Sequence, residues 1–270
     1  MTPELLAAAD YETRFGGIAR LYGIEGLRRL RNSHVCVIGI GGVGSWAAEA
    51  LARSGLGKLT LVDLDEVCVS NMNRQLHALD ATVGRAKVEV MLERLKGINP
   101  KCDVQAVAEF FTESTAEGIL SSNFDHVIDA IDNVRNKCLL IAACRERSVP
   151  IITCGAAGGK RDATGIQISD LAFSSHDRLL QKVREQLRKE HGFPRGDTPF
   201  GVECVFSREA PVLPHTEGTT CSDHPESRAV TLDEAPRLNC DWGLGSATFV
   251  TGTFGFVAAG AVIQRLAQAK

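Results

Sequence analysis

The segment HVCVIGIGGVGSWAAEALARSGLGKLTLVD, residues 34–63, decides the fold of this 270-residue chain. Its pattern predicts a buried strand over 34–39, a helix over 43–54 and a second strand over 58–63. Between the first strand and the helix, glycines fit the spacing G-x-G-x-x-G, and Asp63 follows about twenty residues later. Such glycines let the backbone approach phosphates, and the helix amino terminus favours anions. The segment therefore predicts a βαβ nucleotide-binding unit, with the loop glycines Gly39, Gly41, Gly42 and Gly44.

Strands continue to alternate with helices up to about residue 155, which indicates an α/β fold with a mostly parallel sheet and right-handed crossovers. We predict a Rossmann-like, doubly wound arrangement whose ligands bind at the carboxyl ends of the strands. The further elements predicted here are helices over 85–98 and 134–147, strands over 102–107 and 126–130, and a strand before the glycines at 155–159.

The pattern changes beyond residue 165, where we predict an extension of mixed strands, a helix in the basic stretch 178–195 and an irregular segment over 207–241. Four of the nine prolines lie in this irregular segment, which favours a mobile loop or lid. We divide the chain into an N-terminal helical segment (1–33), a nucleotide-binding core (34–165) and a C-terminal substrate and dimer extension (166–270), within one compact domain.

The segment from Trp242 to Gln264 contains no charged residue and is long enough to cross a bilayer. Five of its positions are glycine, which also suits a closely packed helix inside a folded domain. A single late span would be expected to carry a basic cluster on one side, and none is present. We therefore predict a buried apolar helix and no membrane span.

Composition limits the classes of partner and the compartment. The formal net charge of −3 is too small for wholesale nucleic-acid binding, so such a partner requires a local basic patch. Nine cysteines are scattered, no C-x-x-C pair occurs, and several cysteines lie in apolar runs. This pattern disfavours a zinc ribbon or a dithiol and favours free thiols in a reducing, cytoplasmic setting.

Polar residues after Asp63 distinguish two nucleotide chemistries. Asp63 and Asp65 are placed to accept hydrogen bonds from ribose hydroxyls, as an NAD site would require. Arg74 and Lys87 would be wasted there, because no charge develops near the adenosine ribose of NAD. Cations make more sense beside a triphosphate, where they stabilise negative charge spread over phosphate oxygens in the transition state.

The end of the predicted strand 126–130 carries Asp129, Asp132 and Asn133. Magnesium prefers one or two carboxylates together with phosphate oxygens and water, so Asp132 is a candidate Mg²⁺ ligand. Asp132 is equally suited to be the N-cap of helix 134–147, and the two roles do not exclude each other.

Several stretches together resemble the ubiquitin-activating-enzyme-like adenylating superfamily, which includes the adenylating enzymes of molybdopterin and thiamine biosynthesis. They are RFGGIARLYG, the run from GIGGVG to NMNRQ, VGRAKVE and DAIDNVRNK. Within the superfamily, RFGGIARLYG, SWAAEALARSG, GVECVFS and ATFVTGTFGFVAAG resemble the bacterial tRNA threonylcarbamoyladenosine dehydratases over nearly the whole chain. The resemblance implies ATP-dependent cyclisation of that nucleoside beside the anticodon, by adenylation of its threonine carboxylate and release of AMP.

The resemblance also implies roles for individual residues in a homodimer. Arg14 is implied to reach the nucleotide of the other subunit, and a monovalent cation near the dimer seam stays an open expectation. The remaining implied contacts are Arg74 and Lys87 to the ATP phosphates, Asp63 to the ribose, Asn71, Gln75 and Asn133 lining the site, and Asp132 to the metal. A tRNA substrate further favours contacts from the basic stretch, with Lys182, Arg184, Arg188 and Lys189 as candidates.

The sequence departs from the wider superfamily in its cysteines. The paired zinc-binding cysteines of the sulfur-carrier members are missing, so no structural zinc is implied. No cysteine stands out as the thioester-forming nucleophile of the ubiquitin branch, although Cys221 and Cys240 are candidate reactive thiols.

Three other functions stay open on the sequence. One keeps adenylation but activates the carboxyl terminus of a small ubiquitin-like sulfur carrier. A second is a nicotinamide-dependent oxidoreductase, whose activity Arg74→Ala would not change. The third is a non-catalytic partner in sulfur relay, which would keep its full function after Lys87→Ala.

Overall fold

The structure, a computed structural model, describes residues 3–214, 220–222 and 244–269. The helices are α1 (Pro3–Asn32), α2 (Gly44–Arg53), α3 (Lys87–Ile98), α4 (Ala116–Ile119), α5 (Val134–Glu146), α6 (Arg178–Glu190) and α7 (Thr248–Gln268). The strands are β1 (His34–Ile38), β2 (Lys58–Val62), β3 (Asp103–Val107), β4 (His126–Asp129), β5 (Ile151–Cys154), β6 (Ile166–Asp170), β7 (Glu203–Ser207), β8 (Val212–Pro214) and β9 (Thr220–Ser222).

Seven strands form one sheet in the order β3-β2-β1-β4-β5-β7-β6. All neighbouring pairs are parallel except β6 and β7, which are antiparallel. The chain moves from β1 outward to β2 and β3 and then returns to β4 on the other side of β1. The predicted Rossmann-like, mostly parallel fold is confirmed, and its switch point between β1 and β4 is where such sheets bind ligands.

Helices cover both faces of the sheet with their apolar sides. On one face, α1, α2, α3 and α7 pack on β1 and β2 around a large core that includes Leu51, Met91 and Phe254. On the other face, α4 and α5 pack against β1 and β4, and α5 and α6 pack against β7. The central strand β1 is buried along its whole length, as expected for a strand covered on both faces.

The predicted apolar helix is α7, and it packs as a core helix. It contacts α2 closely because a Cβ on Gly255 would lie 2.5 Å from the carbonyl oxygen of Val43, so only glycine fits. By length and composition this helix could also cross a membrane, but half of its apolar window is buried inside the fold. Phe249 and Phe256 remain exposed on its outer side.

The C-terminal extension differs in detail from its prediction. Its strands β6 and β7 complete the main sheet. The helix of the basic stretch 178–195 ends at Glu190, and it buries Leu180, Val183 and Leu187. Within the predicted irregular segment 207–241, β8 and β9 form a two-stranded antiparallel sheet, and residues 215–219 and 223–241 lie outside the described residues.

Candidate nucleotide-binding site

The residues predicted to bind a nucleotide come together at the carboxyl-terminal edge of three neighbouring strands. The glycine loop follows β1, Asp63 follows β2, and residues 130–133 follow β4. Lys87, the first residue of α3, reaches back to this edge, with its Nζ 2.8 Å from Oδ2 of Asp65. The parallel order of the strands therefore assembles a site from segments that are separate in the sequence.

The glycines of the loop serve two different purposes. Gly39 has a φ of +90°, and a Cβ there would lie 2.7 Å from the Ala130 carbonyl oxygen. At Gly44 a Cβ would lie 1.8 Å from the carbonyl oxygen of Gly39, so both positions are closed to any side chain. At Gly41 the nearest atom is Nε2 of Gln75 at 3.8 Å, whereas Gly42 is close to Thr251. Gly39 and Gly44 therefore shape the turn, and Gly41 leaves room for a ligand.

The carboxylate of Asp63 fixes the glycine loop to the end of β2. Its Oδ2 accepts a 2.6 Å hydrogen bond from the Ile40 backbone N–H, and its Oδ1 accepts one of 2.9 Å from Asp65. Burial raises the pKa of Asp63, while the nearby Lys87 cation and the two N–H donors act to lower it. Each carboxylate oxygen keeps a further acceptor site, so Asp63 can hold the loop and also accept from a ribose hydroxyl.

Lys87 and Asp65 form an ion pair at the mouth of the site. The Lys87 side chain is only 7% exposed, whereas that of Asp65 is 53% exposed. An ion pair with such an exposed partner is screened by water and contributes little stability. A ligand phosphate can therefore replace Asp65 as the partner of the Lys87 ammonium.

Contacts from two helices fix the backbone of Arg74. Its carbonyl oxygen accepts hydrogen bonds from Nε1 of Trp46 in α2, at 3.1 Å, and from Oγ1 of Thr251 in α7, at 3.2 Å. Its guanidinium donates to the Ser70 carbonyl and to the Asn73 side chain, and within the described chain it pairs with no carboxylate. The backbone of Arg74 is therefore fixed, and its guanidinium has no anionic partner among the described residues.

Asn71, Gln75 and His77 are buried behind Arg74. Oδ1 of Asn71 accepts from the Cys68 backbone N–H at 3.0 Å, which fixes the turn. Oε1 of Gln75 and both ring nitrogens of His77 are buried and have no hydrogen-bond partner among the described residues. Burial and the Lys87 cation lower the pKa of His77 to about 4, so its ring is neutral. His77 belongs to no sequence motif that pointed to the site.

The sequence left two roles open for Asp132, as a magnesium ligand and as the N-cap of the following helix, and the structure gives the N-cap role to Asn133. Asn133 is the N-cap of α5, where its side chain accepts from the Asn136 backbone N–H at 3.0 Å. Asp132 is exposed at the carboxyl end of β4, and no hydrogen bond to it occurs in the described residues. Its carboxylate is therefore free to coordinate a cation.

A buried ion pair supports the loop that carries Asp132. Nζ of Lys137 lies 3.0 Å from Oδ2 of Asp129, and neither side chain is exposed. The Lys137 ammonium also donates to the Ile131 carbonyl, and the Asp129 carboxylate accepts from the Ile131 backbone N–H and from Oγ1 of Thr153 in β5. Lys137 was not among the predicted site residues, although a lysine at the start of the apolar run KCLLIAAC was a usable signal.

Comparison with known proteins decides the family. A model of the ThiF family matches residues 16–269. The chain belongs to the ThiF family. It is 48% identical over 257 residues to a tRNA threonylcarbamoyladenosine dehydratase of Escherichia coli strain K12, covering 95% of this chain and 94% of the relative. A dehydratase of the same name from Haemophilus influenzae is also 48% identical, over 97% of this chain and 96% of the relative.

A solved structure agrees over the same length of this ThiF-family chain. It is a crystal structure of the E. coli tRNA N6-threonylcarbamoyladenosine dehydratase in complex with ATP. The two chains superpose with a TM-score of 0.81 at 45% identity, over 94% of each chain. The resemblance inferred from the sequence motifs is confirmed.

Arg14 of this ThiF-family chain lies far from its own glycine loop. It pairs with Asp10 at 2.8 Å, and its guanidinium approaches the carbonyl oxygen of Ile98 at the end of α3. The same part of α1 packs on Gly55, which precedes β2. These neighbours lie at the amino-terminal edge of the sheet, opposite the carboxyl-terminal edge that carries the glycine loop.

The basic residues predicted to contact tRNA fall into two groups. Lys182 and Lys189 are exposed on α6. Arg188 instead stacks over the Phe200 ring, with its Cζ 5.2 Å from the ring centroid, and donates to the Pro194 carbonyl. Arg184 is half-buried and donates to Oγ of Ser174. The two arginines therefore also hold the fold together.

Neither candidate thiol can be placed against the site. Cys240 lies outside the described residues, and only the backbone of Cys221, in β9, is described. Seven further cysteines are free thiols, and burial raises the pKa of several, to about 12 for Cys102 and Cys154. In the part of the chain that the structure describes, no group of three or more potential metal ligands occurs.

Proposed function

We propose that this protein catalyses the ATP-dependent dehydration of threonylcarbamoyladenosine beside the anticodon of tRNA. The observation that carries the proposal is its 48% identity, over 95% of its length, to a dehydratase of this name. The site geometry supports an adenylating enzyme, because the glycine loop, Lys87, Arg74 and Asp132 share one edge of the sheet. A nucleotide whose phosphates are consumed makes use of these cations, whereas NAD does not.

The reaction proceeds in two steps, adenylation of the carboxylate and ring closure. An oxygen of the threonine carboxylate attacks the α-phosphorus of ATP, a P–O bond forms, and pyrophosphate leaves. The carbamoyl group then attacks the activated acyl carbon, closes a ring and displaces AMP. The substrate loses one water in total, and ATP becomes AMP and pyrophosphate. Activation is needed because the oxygen of a carboxylate is too basic a leaving group, whereas a phosphate ester leaves readily.

The protein contributes binding, orientation and charge stabilisation. We infer that Lys87 exchanges Asp65 for a phosphate and that Arg74, whose side chain lies beside Gly42, also contacts the phosphates. Both cations then stabilise the negative charge that accumulates at the reacting phosphorus. Asp63 and Asp65 bind the ribose, and Asn71, Gln75 and Asn133 line the site. No protein nucleophile is required, which agrees with the high pKa of the buried thiols.

The residues also suit a magnesium ion. The carboxylate of Asp132 is exposed beside the predicted phosphate position and accepts no hydrogen bond from the described chain, as a ligand for this cation requires. Bound magnesium would neutralise charge on the phosphate oxygens. The network of Asp129 and Lys137 holds the backbone of Ile131 and thereby orients the loop of Asp132.

Partners and compartment complete the proposal. Arg14 serves the nucleotide of a second subunit, since it lies at the opposite edge of its own sheet. A homodimer is supported further by the exposed apolar residues Leu21 and Ile24 on α1. The free thiols of the described residues favour a reducing, cytoplasmic setting.

The test is incubation of the protein with ATP, Mg²⁺ and tRNA that carries threonylcarbamoyladenosine, followed by mass analysis of the nucleosides. We expect the modified adenosine to lose one water only when ATP is present, with equal release of AMP. Absence of that mass change refutes the dehydratase. ATP-dependent adenylation of a protein ending in diglycine would support the sulfur-carrier alternative instead.

A further inference from the structure

A small cavity lies between the start of α6 and the segment that follows β7. Its volume is about 190 Å³, and its lining includes His176, Arg178, Gln181, Arg184 and Pro211. A water molecule occupies roughly 30 Å³ of liquid, so the cavity has room for a small hydrated polar group. None of the residues that line it belongs to the predicted nucleotide site.

Two arginines make the cavity cationic. Arg178 is exposed and forms no ion pair with the described residues, and Arg184 is half-buried with a hydroxyl as its hydrogen-bond partner. Burial and the neighbouring Arg188 cation lower the pKa of Arg184, against the opposing effect of Asp177 and Glu185. A half-buried guanidinium in this position lacks full compensation, which an anion entering the cavity would supply.

Among the described residues that line the cavity, the one carboxylate, that of Asp177, is occupied by backbone donors. Oδ1 of Asp177 accepts from the Leu180 N–H at 2.9 Å, and Oδ2 accepts from the Ala156 N–H at 2.8 Å. The ammonium of Lys160 ties the walls together by donating to the carbonyls of His176 and Glu209. The shape of the cavity is thus fixed by the fold. Its donors belong to Arg178, to Arg184 and to Gln181, whose Nε2 donates to Oε1 of Glu185 at 3.1 Å and keeps one further N–H.

The position of the cavity relates it to the nucleotide site. Ala156 follows β5, and Pro211 follows β7, so the cavity lies at the same carboxyl-terminal edge as the glycine loop of β1. The order β1-β4-β5-β7 and a strand spacing of about 4.8 Å put it roughly 10–15 Å along that edge. A nucleoside reacting at the glycine loop would have its own or adjacent phosphates within this range.

We propose that this cavity binds a backbone phosphodiester of the RNA substrate beside the nucleoside that reacts. Planar guanidinium groups bind phosphate oxygens in pairs, and Gln181 adds an amide donor. The inference rests on the proposed function and deepens it, because it replaces general attraction to a basic helix with one built phosphate position. Such a contact fixes the register of the RNA without reading its bases.

The experiment compares Arg178→Ala, Gln181→Ala and Arg184→Gln with the wild-type protein. Binding of an anticodon stem-loop RNA is measured without ATP by fluorescence anisotropy, and KM for tRNA and kcat are measured separately. We expect Arg178→Ala and Arg184→Gln to weaken RNA binding and raise KM for tRNA roughly tenfold or more. The slope of log binding affinity against log salt concentration should become shallower by about one, which corresponds to one lost phosphate contact. KM for ATP should stay unchanged.

Two control variants make the result specific. Lys101→Ala removes an exposed charge before β3, at the opposite edge of the sheet, and should change neither RNA binding nor KM. Lys189→Ala removes a charge from the far end of α6, about 16 Å from Arg178 along the helix. If Lys189→Ala weakens RNA binding as much as Arg178→Ala, the helix acts as a uniform basic surface and the cavity has no special role.

Further outcomes separate this inference from others. If inhibition by added pyrophosphate weakens in Arg178→Ala while RNA binding is unchanged, the cavity holds the leaving group and the inference is wrong. The folding of Arg184→Gln is checked by thermal melting, because Arg184 also donates a hydrogen bond to Ser174. If Arg184→Gln unfolds, the comparison of Arg178→Ala with the wild type decides the test. A wild-type protein that binds RNA through the cavity but dehydrates nothing would overturn the proposed function alone.

Discussion

At β1, β2 and β4, the carboxyl-terminal edge of the sheet carries short segments that each follow the end of a strand, from Gly39 to Lys87 and around Asp132. At β5 and β7, the same edge carries a cavity whose parts come from Ala156, Lys160, α6 and Glu209. The first region can be recognised from the sequence, because its glycine spacing and Asp63 reflect one βαβ unit and its other polar residues follow predicted strands. The second has no motif, since its residues meet only after the strands have been placed in order.

The largest expected effect concerns the buried pair where the two regions meet, because Asp129 in β4 binds Lys137 and also Thr153 in β5. Lys137→Met should lower the free energy of unfolding by about 3–5 kcal/mol, since it leaves the Asp129 carboxylate buried and unpaired. Urea denaturation measures the change. The double variant Lys137→Met with Asp129→Asn should recover much of the lost stability. If Lys137→Met alone is as stable as the wild type, the ion pair of Asp129 and Lys137 does not support the fold.

The next effect tests the nucleotide region alone. Lys87→Ala should reduce kcat for ATP-dependent dehydration about 10²- to 10³-fold, because a preorganised cation is lost from the site of charge development. AMP release with modified tRNA measures this rate. Arg85→Ala is the matched control, since Arg85 forms an exposed pair with Glu93 nearby and should leave kcat within twofold, a range set by the small worth of surface pairs. Full activity of Lys87→Ala would favour a non-catalytic partner.

The glycines give a comparison within one loop. Gly44→Ala should destabilise the protein by about 1–3 kcal/mol or more, because its Cβ would meet the Gly39 carbonyl at 1.8 Å. Gly41→Ala should leave thermal stability nearly unchanged and weaken ATP binding, since its Cβ would enter the space kept for the ligand. Calorimetric melting and ATP titration separate the two effects. Equal loss of stability in both variants would show that Gly41 is structural.

The smallest effect is a pH dependence of stability. Burial and Lys87 lower the pKa of His77 to about 4 in the folded protein, below its ordinary value of 6.5. The unfolded chain therefore binds the proton more tightly, so this stability is complete above pH 6.5 and is lost as pH falls from 6.5 towards 4.

His77→Phe should remove on the order of 1–2 kcal/mol of that pH dependence, measured as urea midpoints at pH 7 and pH 5. His34 and His126, whose pKa values burial also lowers, contribute in the same sense. His191→Gln serves as the control at the end of α6. A slope unchanged by His77→Phe would exclude a neutral, buried His77.

The sequence by itself determined the Rossmann-like core, the order of its elements and the family, because hydrophobic period, glycine spacing and nearby polar residues are local properties. It also identified Asp63, Arg74, Lys87 and Asp132 as the candidate site. Only the tertiary structure decided that Asn133 and not Asp132 caps α5, and that Lys137 and His77 lie buried beside the site.

The structure alone also decided that Arg188 stacks on Phe200 while Arg178 and Arg184 line a cavity, although all three belong to one basic helix. Periodicity predicts which face of that helix is apolar. It does not predict which polar side chains find partners, because those partners come from strands and loops far away in the sequence. Burial and charge compensation are properties of such long-range contacts, and they exist only once the sheet has formed.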